Sequence, residues 1–140
     1  MENVKLGTKA VGSIVKIKVN GASKDFIVVQ QGNPNTSTYD SSCAGTWLLM
    51  KDIYTTSTFG NNNSYKDSSI HTYLNGTFYN LIDSNIRAAI KQVKIPYQNG
   101  TGSGGSLATG SNGLSTKVFL LSGYEVGWTT SDNGNFPRTV

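Results

Sequence analysis

The chain has 140 residues, which suits a single domain (1–140) and is too short for two domains of ordinary size. Only 14% of the residues are charged, against about 25% in ordinary soluble domains, and 16 are glycine, which favours a fold rich in loops and strands. The net charge is +4, and one cysteine and one histidine exclude an intrachain disulfide and supply too few ligands for a typical zinc site. No apolar run reaches transmembrane length, so we expect no membrane contact. Because ligands are few, we also expect no metal, and we expect no cofactor.

The first predicted element is a β-hairpin in residues 12–32, GSIVKIKVNGASKDFIVVQQG. Asn20 and Gly21 accept the positive φ angles that a two-residue turn requires. In the first strand, apolar side chains alternate with Lys16 and Lys18, so the lysines are predicted to lie on the face opposite the core.

These lysines have two interpretations. They could follow the phosphates of a nucleic acid, which would make the chain an accessory nucleic-acid-binding protein. Alternatively, they form the solvated face of an ordinary edge strand. We favour the second interpretation because no arginine or aromatic residue is interleaved with them. Nucleic acid is therefore not an expected partner.

Residues 33–69 are predicted to be mostly irregular. The turn-rich segment NPNTSTYDSSCAG contains Cys43. The run GTWLLMKDIY (residues 45–54) is largely apolar and is predicted to be a strand or a short helix. A polar loop follows it.

Two short helices are predicted next. In the first, Asp67 or Ser68 caps the amino terminus, and Asn75 with Gly76 provides a left-handed stop. Its apolar stripe consists of Ile70, Tyr73 and Leu74. In the second, Asp83 or Ser84 is the cap, and the stripe consists of Ile86, Ala89, Ile90 and Val93. Phe78, Leu81 and Ile82, between the two stripes, are predicted to be buried.

The last third of the chain is predicted to return to strands. VKIPY (residues 93–97) is one strand, and Lys117–Ser122 is a second. Between them lies a glycine-rich loop, residues 98–113, of the length that is usually mobile or functional. Because helices and strands share one core, the predicted fold class is α+β.

Two reactive side chains could carry chemistry. A nucleophilic pair of Cys43 and His71 would need only to meet in space, so an enzyme using either residue stays an alternative. However, Cys43 has no local signature, and His71 lies beside the apolar stripe of its helix. The loop GTGSGGSLATG lacks the Lys-Ser/Thr of a phosphate-binding P-loop. We therefore assign no catalytic residue.

Several ordered blocks carry a family resemblance. DSSIHTYLNGTFYNLIDSNIRAAIKQVKIPY and GLSTKVFLLSGYEVGW, with DFIVVQQGNP and YDSSCAGTWLLMKDIY upstream, resemble an uncharacterised domain family of gut-associated bacteria and their phages. The resemblance covers residues 12–128 and leaves residues 129–140 as a tail. That family is similar to the C-type-lectin-like fold, in the branch shared with formylglycine-generating enzymes. It implies a mixed sheet with two short helices, and on this resemblance we expect the chain to lack the family's carboxyl-terminal segment.

The resemblance implies a non-enzymatic binding or structural module, on a phage virion or tail or as a surface adhesin. The expected location is a virion or extracellular surface reached without a signal peptide, or the cytoplasm if no virion carries the chain. Expected partners are a protein or cell-surface ligand and further copies of the chain. We assign ligand contacts to Tyr97, Tyr124 and Trp128, because such side chains suit polar binding faces. Phe119 and Leu121 are assigned to an exposed strand edge through which chains assemble.

Overall fold

The amino-terminal hairpin forms as predicted in the structure, a computed structural model that describes residues 5–60, 64–99, 106–122 and 124–126. Strands β1 (Ile14–Val19) and β2 (Ala22–Gln31) pair in antiparallel fashion. The turn residues Asn20 and Gly21 have φ angles of 51° and 77°, in the left-handed region. Because only a residue with little steric restriction adopts these angles cheaply, the two-residue turn fixes the register of the hairpin.

Strand β3 (Thr46–Met50) completes a three-stranded sheet in the order β1-β2-β3. The apolar run after Cys43 is thus a strand and not a helix. The register between β2 and β3 shifts between Val28 and Gln30, as at a β-bulge.

Two hydrophobic clusters form the core, and β3 contributes to both. The sheet cluster packs the inner face of β1 against the helices, and Leu48 and Met50 lie against it; its buried members are Ile17, Val19, Phe78 and Ile82. Trp47 lies against the second, the tyrosine cluster, whose buried members are Tyr39, Cys43, Tyr65, Ile95, Tyr97 and Leu114. Since neighbouring side chains of a strand point to opposite faces, β3 separates the two clusters.

The first predicted helix forms but does not stop where expected. Helix α1 (Ser69–Tyr73) is capped by Ser68, whose hydroxyl accepts a hydrogen bond from the His71 N–H at 3.2 Å. It continues through a π-helical turn (Leu74–Phe78) into α2 (Tyr79–Leu81). The predicted stop at Asn75-Gly76 is wrong, because Gly76 does not adopt a positive φ.

Helix α3 (Ser84–Arg87) is shorter than predicted, although Ile86 and Ile90 pack against the sheet cluster as expected. Phe78 and Ile82 are buried, as predicted, and Leu81 is half-buried. Short 3₁₀ turns complete the helical structure of the described residues, at Leu6–Thr8, Ser41–Cys43, Tyr65–Asp67, Gly110–Asn112 and Tyr124–Val126.

The remaining strands form two antiparallel pairs. Strand β4 (Val93–Ile95) pairs with β7 (Leu114–Thr116), and β5 (Tyr97–Asn99) pairs with β6 (Ser106–Ala108). The predicted loop over residues 98–113 therefore contains strand β6 and the end of β5, while residues 100–105 and the tail 129–140 lie outside the described residues. The mobility of that loop stays a prediction.

The strand predicted over Lys117–Ser122 is wrong. The last strand of the described chain ends at Thr116, and residues 117–122 are irregular. Their apolar composition indicated a strand, but side chains from elsewhere in the fold bind their backbone in place of a neighbouring strand. The mixture of small sheets and short helices is an α+β fold.

Two glycines test this arrangement by opposite effects on stability. At Gly76 an added Cβ meets no atom within 4 Å, so Gly76→Ala should stabilise the helix by about 0.5–1 kcal/mol. At Gly113 the added Cβ would lie 2.7 Å from the Ile95 carbonyl oxygen, so Gly113→Ala should destabilise the fold. Urea unfolding measures both changes. Destabilisation by Gly76→Ala would show instead that the helix stops at this residue.

Candidate functional site

The side chain of Asn75, inside the π-helical turn, holds the chain that follows β7. Its Oδ1 accepts hydrogen bonds from the N–H groups of Lys117 and Val118, at 2.8 and 3.1 Å, and from the Thr116 hydroxyl at 3.1 Å. Its Nδ2 donates to the Val118 carbonyl at 2.8 Å and to the His71 carbonyl at 3.0 Å. Both donors and the acceptor of the carboxamide are therefore in use.

The helix widens where this side chain acts. The His71 carbonyl accepts from the Leu74 N–H as well as from the Asn75 carboxamide, and the next five residues (Leu74–Phe78) form the π-helical turn. Single π turns inside α-helices occur frequently at functional positions. Here the turn stands beside the residues that Asn75 binds.

A second attachment comes from Tyr65. Its hydroxyl oxygen accepts a hydrogen bond from the Leu120 N–H at 3.1 Å, and the residue is only 5% exposed. Burial raises the pKa of the Tyr65 phenol to about 12, so the hydroxyl stays protonated at neutral pH.

A third attachment is a capping box at the Tyr124–Val126 turn. The Glu125 N–H donates to the Ser122 hydroxyl at 3.2 Å, and the Ser122 N–H donates to Glu125 Oε2 at 2.8 Å. Glu125 Oε1 also accepts a hydrogen bond from the Tyr39 hydroxyl at 2.7 Å. Since Tyr39 belongs to the tyrosine cluster, the turn is tied to the core.

These attachments fix the backbone of residues 117–122 and 124–126, called the anchored segment below. Three of its aliphatic side chains are nevertheless accessible: Leu120 is 44%, Leu121 43% and Val126 57% exposed. Val118 instead packs against the sheet cluster. Phe119 packs edge-on against Trp47, with ring centroids 5.4 Å apart. The Lys117 ammonium lies 4.7 Å from the centre of the Tyr79 ring. The segment therefore presents aliphatic side chains on a fixed backbone.

The residues assigned to binding and assembly lie in different environments. Tyr97 is only 9% exposed and packs in the tyrosine cluster, so its burial argues against a ligand contact. The backbone of Tyr124 lies in the last described turn, and Trp128 lies outside the described residues. Phe119 and Leu121 belong to the anchored segment, but they do not lie on a strand edge.

Cys43 and His71 are held by different partners. The buried Cys43 thiol donates to the Lys94 carbonyl at 3.2 Å, and burial raises its pKa, which disfavours the nucleophilic thiolate. The His71 ring packs edge-on against Tyr65 with centroids 5.2 Å apart, and burial lowers its pKa. These surroundings are those of packing residues.

Lys16 and Lys18 lie on the exposed face of β1, as predicted, and Lys16 forms an ion pair with Asp25 at 2.7 Å. Over residues 5–60, 64–99, 106–122 and 124–126, no cluster of three or more His, Cys, Asp or Glu side chains could hold a metal ion. Within these same residues no helix is long and apolar enough to span a bilayer.

Sequence reasoning missed three of the residues that position the anchored segment. The local sequence pattern predicts a helix stop at Asn75 and a loop at Tyr65, so it identifies neither as a partner of the anchored segment. The capping box alone has a sequence signature, because SGYE matches the Ser-x-x-Glu pattern. Asn75 and Tyr65 bind residues that are distant in sequence, which a local sequence pattern does not predict.

Asn75 can be tested by Asn75→Ala. The substitution would leave the N–H groups of Lys117 and Val118 without their acceptor, and we expect a loss of about 2–3 kcal/mol in the free energy of unfolding. Amide hydrogen exchange at Lys117 and Val118 should also accelerate. Asn80→Ala, at an exposed helical asparagine, is the matched control and should stay within about 0.5 kcal/mol of the wild type. Equal effects of the two substitutions would contradict the role of Asn75.

The raised pKa of Tyr65 predicts a loss of stability at alkaline pH. Its pKa is about 12 in the folded chain, which is above the value of about 10 in an unfolded chain. The stabilisation of the folded state that this raised pKa represents is therefore complete below about pH 10, and it is lost as the pH rises towards 12. Over that range the wild type should lose about 2–3 kcal/mol more stability than Tyr65→Phe, as measured by urea unfolding. Parallel pH profiles of the two proteins would contradict this assignment.

Comparison with known proteins gives one match. Residues 44–138, well over half of the chain, match the family described as "Domain of unknown function (DUF6273)". The match includes β3, the helices, β4 to β7 and the anchored segment, and it begins after β1 and β2. No curated protein and no solved structure matches the chain. The expectation of an uncharacterised domain family is thereby confirmed, and the chain belongs to the DUF6273 family.

Proposed function

We propose that this chain is a non-enzymatic binding or structural module that self-associates by presenting its anchored segment to a second copy of the chain. The observation that carries the proposal is the combination of a fixed backbone with exposed Leu120 and Leu121. Three attachments from separate parts of the fold, through Asn75, Tyr65 and Tyr39, hold that backbone.

The energetic argument concerns the cost of binding. An interface residue that becomes ordered only on association loses conformational freedom, which weakens binding. The anchored segment has already lost that freedom on folding. Covering the exposed parts of Leu120 and Leu121 would contribute on the order of 1–3 kcal/mol in total, from their apolar surface. That contribution is sufficient to matter within a larger interface.

Association at this segment does not use strand pairing. Residues 117–122 are irregular, and Asn75 and Tyr65 already bind several of their backbone groups. A partner therefore contacts side chains, above all Leu120 and Leu121. This distinguishes the proposal from assembly through the strand edge that the sequence predicted.

A catalytic function has less support. Cys43 has a raised pKa and a hydrogen bond to a backbone carbonyl, and His71 packs against Tyr65. Packing and hydrogen bonding are sufficient to explain the positions of both residues. The proposal of nucleic-acid binding through Lys16 and Lys18 is weakened by the carboxylate of Asp25 next to Lys16.

The fold family and the location that we propose for the module follow from its resemblance to the domain family of gut-associated bacteria and phages. It places the module in a C-type-lectin-like fold, on a phage virion or tail or on a bacterial surface, where a protein or cell-surface ligand would be its target. If no virion carries the chain, its place is the cytoplasm. The blocks that carry the resemblance are its support, and detection of the chain in purified virions would test it.

Self-association gives the direct test. The purified wild-type chain should show a light-scattering mass above that of a monomer at high concentration, and Leu121→Lys should reduce the mass to that of a monomer. Leu107→Lys is the matched control, since Leu107 is 40% exposed on β6, away from the anchored segment in sequence. It should behave as the wild type. A folded wild-type monomer at high concentration, or equal effects of both substitutions, would contradict the proposal.

A further inference from the structure

Three aliphatic residues form a row across the face of the three-stranded sheet opposite the sheet cluster, called its outer face here. At the far end of β3, Trp47 packs from this same face into the tyrosine cluster. Ile14 on β1 pairs with Ile27 on β2, and Ile27 pairs in turn with Leu49 on β3. The alternation along β1 puts Ile17 and Val19 into the sheet cluster, so Ile14 lies on the opposite face. None of the three row residues belongs to either hydrophobic cluster.

The row is accessible to solvent at one end. Ile14 is 46% exposed, and Val29, at the bulge of β2, is 38% exposed. Val11 is 61% exposed, and the hydrogen bond from the Gly12 N–H to the Val28 carbonyl holds it beside β2. Ile27 and Leu49 are half-buried, so the apolar surface of the row is most accessible at Ile14.

Basic side chains border this row. The next pair along the same face is Lys16 with Asp25, and the pair after that is Lys18 with Ser23. The Lys51 N–H donates to the Asp25 carbonyl, which places a further lysine beside this pair. Lys16 and Lys51 both lower the pKa of Asp25. Lys16 and Lys51 lie near this one carboxylate and Lys18 follows on the same face, so lysines outnumber carboxylates at this end of the face.

We propose that this outer sheet face binds a protein segment that carries both acidic and aliphatic side chains. The aliphatic side chains would cover Ile14, Ile27 and Leu49. The carboxylates would approach Lys18 and Lys51, because Lys16 is already paired with Asp25. Charge complementarity selects this partner. The inference does not rest on the proposed function, because it concerns a different set of residues.

The same face disfavours other occupants. A second copy would bring its own lysines near Lys16, Lys18 and Lys51, and opposed like charges are destabilising. A single-stranded nucleic acid favours aromatic residues on which bases stack, whereas this row is aliphatic. An anionic membrane surface favours a dense basic face, and here Asp25 lies among the lysines.

The test uses a short synthetic peptide that alternates glutamate and valine, titrated into the labelled full-length chain and followed by backbone NMR. The amide shifts should concentrate at Ile14, Ile27 and Leu49 and should weaken as salt is added. A peptide with lysine in place of glutamate, and one with serine in place of valine, should bind at least about tenfold more weakly.

Two variants locate the contact. Ile27→Thr keeps a β-branched residue in the strand, and Lys18→Glu reverses one charge at the border; each should weaken binding of the glutamate–valine peptide about tenfold. Leu107→Thr and Lys5→Glu make the same changes elsewhere and should leave the affinity unchanged. Preserved amide spectra confirm that each variant folds.

Four results would overturn the inference: absence of binding, equal binding of the lysine–valine or glutamate–serine peptide, tighter binding to phosphatidylserine vesicles, or shifts confined to Leu120 and Leu121. The last result would still leave the anchored segment as a binding surface. Conversely, a monomeric chain that binds the peptide on the sheet would contradict the proposed function alone.

Discussion

The carboxamide of Asn75 connects parts of the chain that would otherwise have no reason to lie together. It binds residues 116–118 through both its oxygen and its nitrogen, from inside a helix that begins some distance earlier in the sequence. A helix interior normally satisfies its own backbone groups, and its side chains then contact neighbours through apolar surface. In this chain one polar side chain replaces a neighbouring strand for the residues that follow β7.

That replacement explains why an apolar segment is not a strand. A strand requires a partner for alternate N–H and C=O groups. After Thr116 the partners come from Asn75 and then from the Tyr65 hydroxyl, and neither repeats at the spacing of a ladder. The backbone is therefore satisfied without regular structure. Leu120 and Leu121 stay accessible as a result.

The core gives these polar contacts their rigidity. Tyr65 and Tyr39 are both buried in the tyrosine cluster, so the hydroxyl groups that meet the anchored segment come from fixed rings. Trp47 packs against both Tyr39 and Phe119 and joins β3 to the same cluster. In a low-dielectric interior such hydrogen bonds are stronger, and leaving one unsatisfied is costly. The fold thus orders a segment that contributes few residues to the buried core.

The sequence by itself determined the elements whose causes are local. The Asn20-Gly21 turn, the alternation along β1, the Ser68 cap and the burial of Phe78 and Ile82 all follow from neighbouring residues, and all are present. Family membership was also readable from ordered blocks of sequence. The tertiary structure alone decided the continuation of the helix past Gly76, the end of β7 at Thr116, the burial of Tyr97 and the apolar row across the sheet. Each of these depends on a partner distant in sequence, and local propensity cannot specify which distant group will satisfy a backbone or cover a side chain.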